Sequence, residues 1–210
     1  MSAPVPSVTS LSLIEYYEVG GAGTYNSRPV WPGGASGLTI GIGYDLGYAN
    51  TAQIATDWLA VSPAIQIRLQ SYAGRTGASA HVLLAAAQDI IIPWGLAKRV
   101  FEETDIPRAS ALTAQAFQNT DQLSPDSFGA LVSLVFNRGA SMTDTSPGNR
   151  LEMREIRDAM QAAEFNPIPD LIRSMKRLWQ GRGLDGLLAR RDAEAALFEK
   201  GLRQQQQGVI

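Results

Sequence analysis

The chain of 210 residues contains no cysteine and a single histidine, His81. The absence of cysteine excludes a disulfide framework, a thiolate zinc site and a cysteine nucleophile. One histidine cannot build a multi-histidine metal site, and it leaves one candidate for a Ser-His-Asp triad. No acidic residue is close to it in sequence and no GxSxG motif is present, so a serine hydrolase is not expected. We expect no metal ion and no cofactor.

The chain also lacks an excess of either charge and a long apolar run. Its 18 basic residues oppose 20 acidic ones, for a formal net charge of −2, so phosphate neutralisation predicts no nucleic-acid partner. The most apolar stretch, residues 82–97, is interrupted by Gln88, Asp89 and Pro93, which excludes a transmembrane segment. The first basic residue after the amino terminus is Arg28, so we expect no Sec signal, synthesis in the cytoplasm, and delivery by another route.

Glycine, in contrast, is plentiful between Gly20 and Gly47. Ser12 and Glu15 fit a capping box, which predicts a first helix that ends at Gly20. The glycine-rich segment then contains short β-prone runs at 24–25, 29–31 and 38–40, which predict a small sheet with tight turns.

After Asn50 the pattern predicts helices throughout. Two helices are expected to begin at Pro63, with Ser62 as its cap, and at Pro93. Another is expected at 127–138, with Pro125 at its start and Gly139 at its end. The remaining helices are expected at 51–59, 79–91, 151–165, 170–179 and 184–202. The fold class is therefore α+β and mainly α, with a small glycine-rich β lobe and a larger helical lobe. We interpret 1–210 as a single domain with a lead-in (1–10), the first helix plus β lobe (11–50), the helical lobe (51–203) and a frayed tail (204–210).

The candidates for chemistry are carboxylates. Glu15 and Glu18 lie near the end of the first helix, where the helix dipole and the flanking tyrosines favour a protonated carboxyl group. Asp45 follows a predicted strand in the glycine-rich segment. A protonated acid opposite an ionised carboxylate is what cleavage of a glycosidic bond requires. The alternative is that these are ordinary solvated surface residues. The GIGYDLG segment at 41–47 is interpreted as a tight turn, because no βαβ pattern follows it.

Four segments, taken in order, resemble the phage-type lysozyme family. LIEYYE (13–18), followed by Tyr25 and TIGIG (39–43), is similar to the active-site segment of that family. FGALVSLVFNRGA (128–140) and GLLARRDAEAALFEKG (186–201) resemble two of its helices. SGLTIGIGYDLGY (36–48) is closer still to the pesticin-like muramidases, which are related to those lysozymes. The resemblance implies a lysozyme-like fold.

The resemblance also implies catalytic roles. Glu18 matches the family's general acid, and Thr39 matches the threonine that positions the attacking water. The catalytic aspartate of the phage lysozymes would fall at or beside Ser27, where this chain has no carboxylate. In the pesticin-like pattern an aspartate lies six residues after the threonine, and Asp45 occupies that position.

For substrate binding, the resemblance places Asn137 and Arg138 on the helix that faces the cleft, where they are expected to bind sugar or a peptide stem. Tyr25 and Tyr44 are expected to stack on sugars, as are Trp31 and Tyr48, although packing within the lobe explains each aromatic residue equally well.

The expected function is an N-acetylmuramidase that cleaves the β-1,4 bond between N-acetylmuramic acid and N-acetylglucosamine in peptidoglycan. Two alternatives stay open: a lytic transglycosylase, and a non-catalytic lysozyme-like module that binds the wall or acts as a scaffold. The chain would reach the cell wall as an endolysin after holin-type release, or as an antibacterial toxin injected by a secretion system. A toxin would have a cognate immunity or inhibitor protein as a partner.

Overall fold

The computed structural model describes residues 4–208, and within that range it is mainly helical with a two-stranded antiparallel sheet. The fold is thus α+β and mainly α, as predicted. Its α-helices and strands are α1 (Val8–Val19), β1 (Thr39–Ile40), β2 (Tyr44–Asp45), α2 (Thr51–Asp57), α3 (Pro63–Ser71), α4 (Ala78–His81), α5 (Leu84–Ala87), α6 (Trp94–Val100), α7 (Ile106–Ala116), α8 (Pro125–Arg138), α9 (Leu151–Gln161), α10 (Ile168–Ser174) and α11 (Asp185–Gln206). Short 3-10 turns (Leu46–Tyr48, Thr120–Gln122, Met175–Leu178) and a π-helical segment (Phe101–Asp105) complete it.

The contacts divide the described residues into two compact units. The hairpin unit is Glu18–Pro107, and the helical unit combines the residues up to Tyr17 with those from Arg108 onward. The expectation of a single domain over residues 1–210 stays a prediction.

In the hairpin unit, a three-residue turn joins β1 to β2. Gly41 and Gly43 have positive φ angles of 59° and 78°, which glycine adopts without steric cost. A Cβ on Gly41 would also lie 2.8 Å from the ring of Trp58. Ile42 between them is buried. The interpretation of GIGYDLG as a tight strand-to-strand turn is therefore confirmed.

In the helical unit, α8 is the central helix, and it is buried from Asp126 to Val135. The Ser124 side chain accepts a hydrogen bond from the Ser127 backbone, Pro125 occupies the first turn, and Gly139 ends the helix with a φ of 71°. These are the start and stop signals expected from local sequence. Helix α11 packs against α8, so closely that a Cβ on Gly201 would lie 2.2 Å from the Ser124 hydroxyl.

Several predicted boundaries are wrong. Helix α1 begins at Val8, inside the expected lead-in, because the Ser7 hydroxyl accepts a hydrogen bond from the Ser10 backbone and so replaces Ser12 as the capping group. The expected helix at 79–91 is two four-residue helices, because the backbone N–H of Leu83 bonds only three residues back, to Ala80.

Two further segments also differ from expectation. Residues 24–25 are not a strand, because the Thr24 hydroxyl bonds to the carbonyl of Val19 at 2.6 Å and turns the chain back on α1. Residues 204–206 belong to α11 rather than to a frayed tail, since the Gln205 side chain donates a hydrogen bond to the carbonyl of Gln122.

Within residues 4–208, no helix is both long enough and apolar enough to cross a membrane.

Candidate active site

The β-hairpin brings Thr39 and Asp45 together as directly opposed residues. Both the N–H and the C=O of Thr39 bond to Val30 on its other side, so Thr39 and Asp45 form a non-hydrogen-bonded pair. In such a pair the two side chains lie on the same face of the sheet, with Cβ atoms roughly 4.5–5.5 Å apart. Both residues are half-buried. The predicted partnership of these two residues therefore has a geometric basis.

The Asp45 carboxylate is fixed by backbone donors. The N–H of Gly37 donates to both of its oxygens at 3.0 Å, and the N–H of Gly47 donates to Oδ1 at 2.8 Å. Burial raises the pKa of Asp45, and the hydrogen bonds from Gly47 and Gly37 act in the opposite direction. A Cβ on Gly37 would lie 2.3 Å from Oδ1, so glycine is required there for this contact.

Glu18 is the second-last residue of α1 and is half-buried. The turn that follows is tightly built, because a Cβ on Gly20 would lie 2.4 Å from the Thr24 hydroxyl that closes onto α1. The position of Glu18 at the end of this helix is therefore set by local structure, as expected.

Asn26 and Ser27 lie where the phage lysozymes have their catalytic aspartate, and both accept hydrogen bonds from backbone N–H groups. Asn26 Oδ1 accepts a hydrogen bond from the N–H of Arg28 at 3.0 Å. The carbonyl of Ser27 accepts one from the N–H of Ile92 at 2.8 Å. The second carboxylate of a catalytic pair must therefore come from elsewhere in the chain.

The two tyrosines predicted to bind substrate have different environments. Tyr25 is half-buried, its hydroxyl donates to the carbonyl of Ile92 at 2.9 Å, and burial raises its pKa to about 12. Tyr44 is buried, donates to Asp57 at 2.8 Å and packs edge-on against Trp58. Tyr44 is a core residue, so sugar stacking does not fit its position, whereas Tyr25 keeps a partly exposed ring.

The other two aromatic candidates both fasten the loop that precedes β1. Trp31 donates to the carbonyl of Ser36 at 3.0 Å and stacks on the His81 ring with the centroids 4.4 Å apart. Tyr48 is exposed, and its hydroxyl bonds to the carbonyl of Ala35 at 3.1 Å. Loop packing thus accounts for Trp31, while the face of Tyr48 is open to solvent.

Asn137 and Arg138 lie at the end of α8, in the helical unit. Asn137 Oδ1 accepts a hydrogen bond from Arg191 at 3.2 Å. The N–H groups of the Asn137 amide are donors and take no part in this contact. Arg138 donates to the carbonyl of Asn149 at 2.5 Å and stacks over Trp179 at 4.9 Å.

Sequence reasoning assigned no role to the buried ion-pair network behind these residues. A single oxygen of Glu194 accepts hydrogen bonds from Ser133 at 2.6 Å, Arg191 at 2.9 Å and Arg190 at 3.1 Å. All three charged residues are 2% exposed or less. The RRxxE spacing in α11 was the available signal, because i,i+3 and i,i+4 residues meet on one helix face.

A mainly helical fold with a small two-stranded sheet fits a lysozyme-like α+β architecture. A family model described as phage lysozyme matches residues 34–194. This is more than half of the chain, and the chain belongs to the phage lysozyme family. Membership supports a peptidoglycan-hydrolysing, lysozyme-type role. No curated protein matches the chain.

The matched range includes the hairpin residues Thr39 and Asp45 and the α8 residues Asn137 and Arg138, whereas Glu18 and Tyr25 precede it. The special closeness to pesticin-like muramidases stays a prediction.

Proposed function

We propose that this chain is an N-acetylmuramidase that hydrolyses the β-1,4 bond between N-acetylmuramic acid and N-acetylglucosamine in peptidoglycan. The observation that carries the proposal is the Thr39–Asp45 pair. These residues lie directly opposite each other in a hairpin, within the segment that matches the phage lysozyme family.

In this mechanism Glu18 protonates the leaving oxygen of the glycosidic bond, and a water molecule attacks the anomeric carbon. Thr39 and Asp45 hold that water from one face of the hairpin. Asp45 Oδ1 already accepts two backbone hydrogen bonds, whereas Oδ2 accepts one. Oδ2 thus has room for a proton from the water. The pKa of Asp45, raised by burial, makes the carboxylate a better base than an exposed aspartate.

The first prediction tests Glu18. Because positioned general acids contribute about 10²–10⁴-fold to rate, Glu18→Gln should slow the clearing of purified cell walls by at least about a hundredfold. The measurement is loss of turbidity, with thermal unfolding recorded to show that the variant folds. Glu15→Gln is the matched control, since Glu15 lies one turn earlier on the same helix and is also half-buried. Clearing by Glu18→Gln at the wild-type rate would remove Glu18 from the mechanism.

Mass spectrometry of the released fragments distinguishes this function from its alternatives. Hydrolysis leaves reducing N-acetylmuramic acid ends. Fragments with 1,6-anhydro ends would make the chain a lytic transglycosylase. Co-sedimentation with cell walls without any release of fragments would make it a non-catalytic binding module.

Two delivery routes are part of the proposal. One is holin-type release as an endolysin, and the other is injection by a secretion system as an antibacterial toxin. Only the second route includes a cognate immunity protein. Co-purification of this chain with the product of a neighbouring gene would identify that protein.

A further inference from the structure

The loop that precedes β1, residues 31–38, contacts both members of the Thr39–Asp45 pair. It begins directly after Val30, whose N–H and C=O both bond to Thr39. Near its other end, the N–H of Gly37 donates to both oxygens of Asp45 at 3.0 Å. The orientation of the pair therefore depends on what fixes this loop.

The peptide group that joins Ser36 to Gly37 forms hydrogen bonds on both of its sides. Its C=O accepts one from the indole Nε1–H of Trp31 at 3.0 Å and a second from the N–H of Gly77 at 2.9 Å. Its N–H is the donor to Asp45, and Gly37 is buried. Hydrogen bonds in a chain polarise one another, and they are stronger where the local dielectric is low. The donors on the C=O side therefore strengthen the bond from the N–H to the carboxylate.

The ring of Trp31 is itself held in place. It stacks on the imidazole of His81, with the centroids 4.4 Å apart and the planes inclined by 27°. His81 is the last residue of α4, and Gly77 immediately precedes that helix. One short helix thus contacts the loop from both of its ends, and the stack restricts the direction in which the half-buried Trp31 points its N–H.

We propose that Trp31 is a positioning residue for Asp45: its indole N–H acts through the Ser36–Gly37 peptide group to orient the carboxylate and to strengthen the hydrogen bond that the carboxylate receives. His81 contributes by fixing the plane of the indole. A hydrogen bond to the ionised form favours that form, so Trp31 opposes the effect of burial on the pKa of Asp45. The chemical role of Asp45 rests on the proposed function, whereas its connection to Trp31 does not.

The first readout is an NMR titration of the Asp45 carboxyl group in the whole chain. Trp31→Phe removes the indole N–H and keeps an aromatic ring. The weaker bond from Gly37 should raise the pKa of Asp45 above that of the wild-type protein and move the Gly37 amide proton upfield. Trp94→Phe is the matched control, because Trp94 is also half-buried in the hairpin unit and packs edge-on against Tyr25. It should leave both signals at their wild-type positions.

The second readout is the rate of cell-wall clearing as a function of pH. In Trp31→Phe the acidic limb of the profile should move to higher pH together with the Asp45 titration. The rate should fall by up to about a hundredfold, which is the cost of misplacing a reacting group by about 1 Å. His81→Ala keeps the indole N–H but removes the stacked ring, so it should change both readouts in the same direction and by less.

An unchanged Asp45 titration in Trp31→Phe overturns the proposal, even if thermal unfolding shows a loss of stability, because Trp31 would then be a structural residue only. A larger shift in His81→Ala than in Trp31→Phe also overturns it, since the ring stack rather than the N–H would hold the loop. The two proposals fail separately. A wild-type protein that clears walls while Trp31→Phe leaves the titration unchanged refutes only the positioning role. A wild-type protein that cleaves nothing while Trp31→Phe moves the titration refutes only the hydrolase.

Discussion

The hairpin unit and the helical unit each fix a carboxylate by hydrogen bonds, but with different donors. Asp45 in the hairpin unit receives hydrogen bonds from the backbone N–H groups of two glycines. Glu194 in the helical unit receives hydrogen bonds from Ser133, Arg190 and Arg191. Backbone donors carry no net charge, whereas the two arginines do.

The difference suits the two proposed roles. The pKa of Asp45 is raised by burial although the glycine amides lower it, so this carboxylate can exchange a proton with water. A carboxylate held by buried arginines is part of a fixed framework, which here also positions the amide of Asn137 through Arg191. Chemistry is therefore expected at Asp45, and structural support at Glu194.

The largest effect expected from this comparison is on stability. Glu194→Gln would remove the carboxylate that pairs with Arg190 and Arg191, and breaking a buried ion pair from one side costs about 3–5 kcal/mol. The measurement is the free energy of unfolding in urea. Glu199→Gln is the matched control on the same helix, because Glu199 pairs with Arg173 while 35% of its side chain is exposed, and such pairs contribute about 0–1 kcal/mol. Equal losses in the two variants would remove the distinction between buried and surface pairs.

A smaller effect is expected in the hairpin. Asp45→Asn would replace one of the two oxygens that share the N–H of Gly37 with an N–H donor and would remove the negative charge. Hydrogen bonds to charged groups contribute about 1.5–3 kcal/mol, so a loss of up to that size is expected. Unfolding in urea gives the loss, and hydrogen exchange of the Gly37 and Gly47 amides gives its location. Asp89→Asn, which alters an exposed pair with Arg68, is the control. Unchanged exchange at both glycines would show that Asp45 does not hold the loop.

The sequence allowed prediction of features that depend on neighbouring residues. The Ser124–Pro125 start and Gly139 end of α8 are local, as is the glycine turn before Asp45. The contacts that define the site connect distant positions. Gly37 reaches Asp45 across 8 residues and Ser133 reaches Glu194 across 61. No periodicity or propensity encodes such pairings, which is also why the sequence left sugar stacking and lobe packing equally open for Tyr44, a residue that the structure buries.

The smallest effect is on pH dependence, because the burial of Asp45 and its glycine hydrogen bonds act in opposite directions on its pKa. Burial dominates and raises the pKa above the ordinary value of 3.8, so the folded protein binds the proton more tightly than the unfolded chain. The stability contributed by this proton is complete below pH 3.8 and is lost as the pH rises through the folded pKa. Relative to Asp45→Asn, the wild-type protein should therefore lose stability as the pH increases over that window. A carboxyl NMR titration of Asp45 with a midpoint below 3.8 would instead mean that the glycine amides outweigh burial, and that this carboxylate is poorly suited to accept a proton from water.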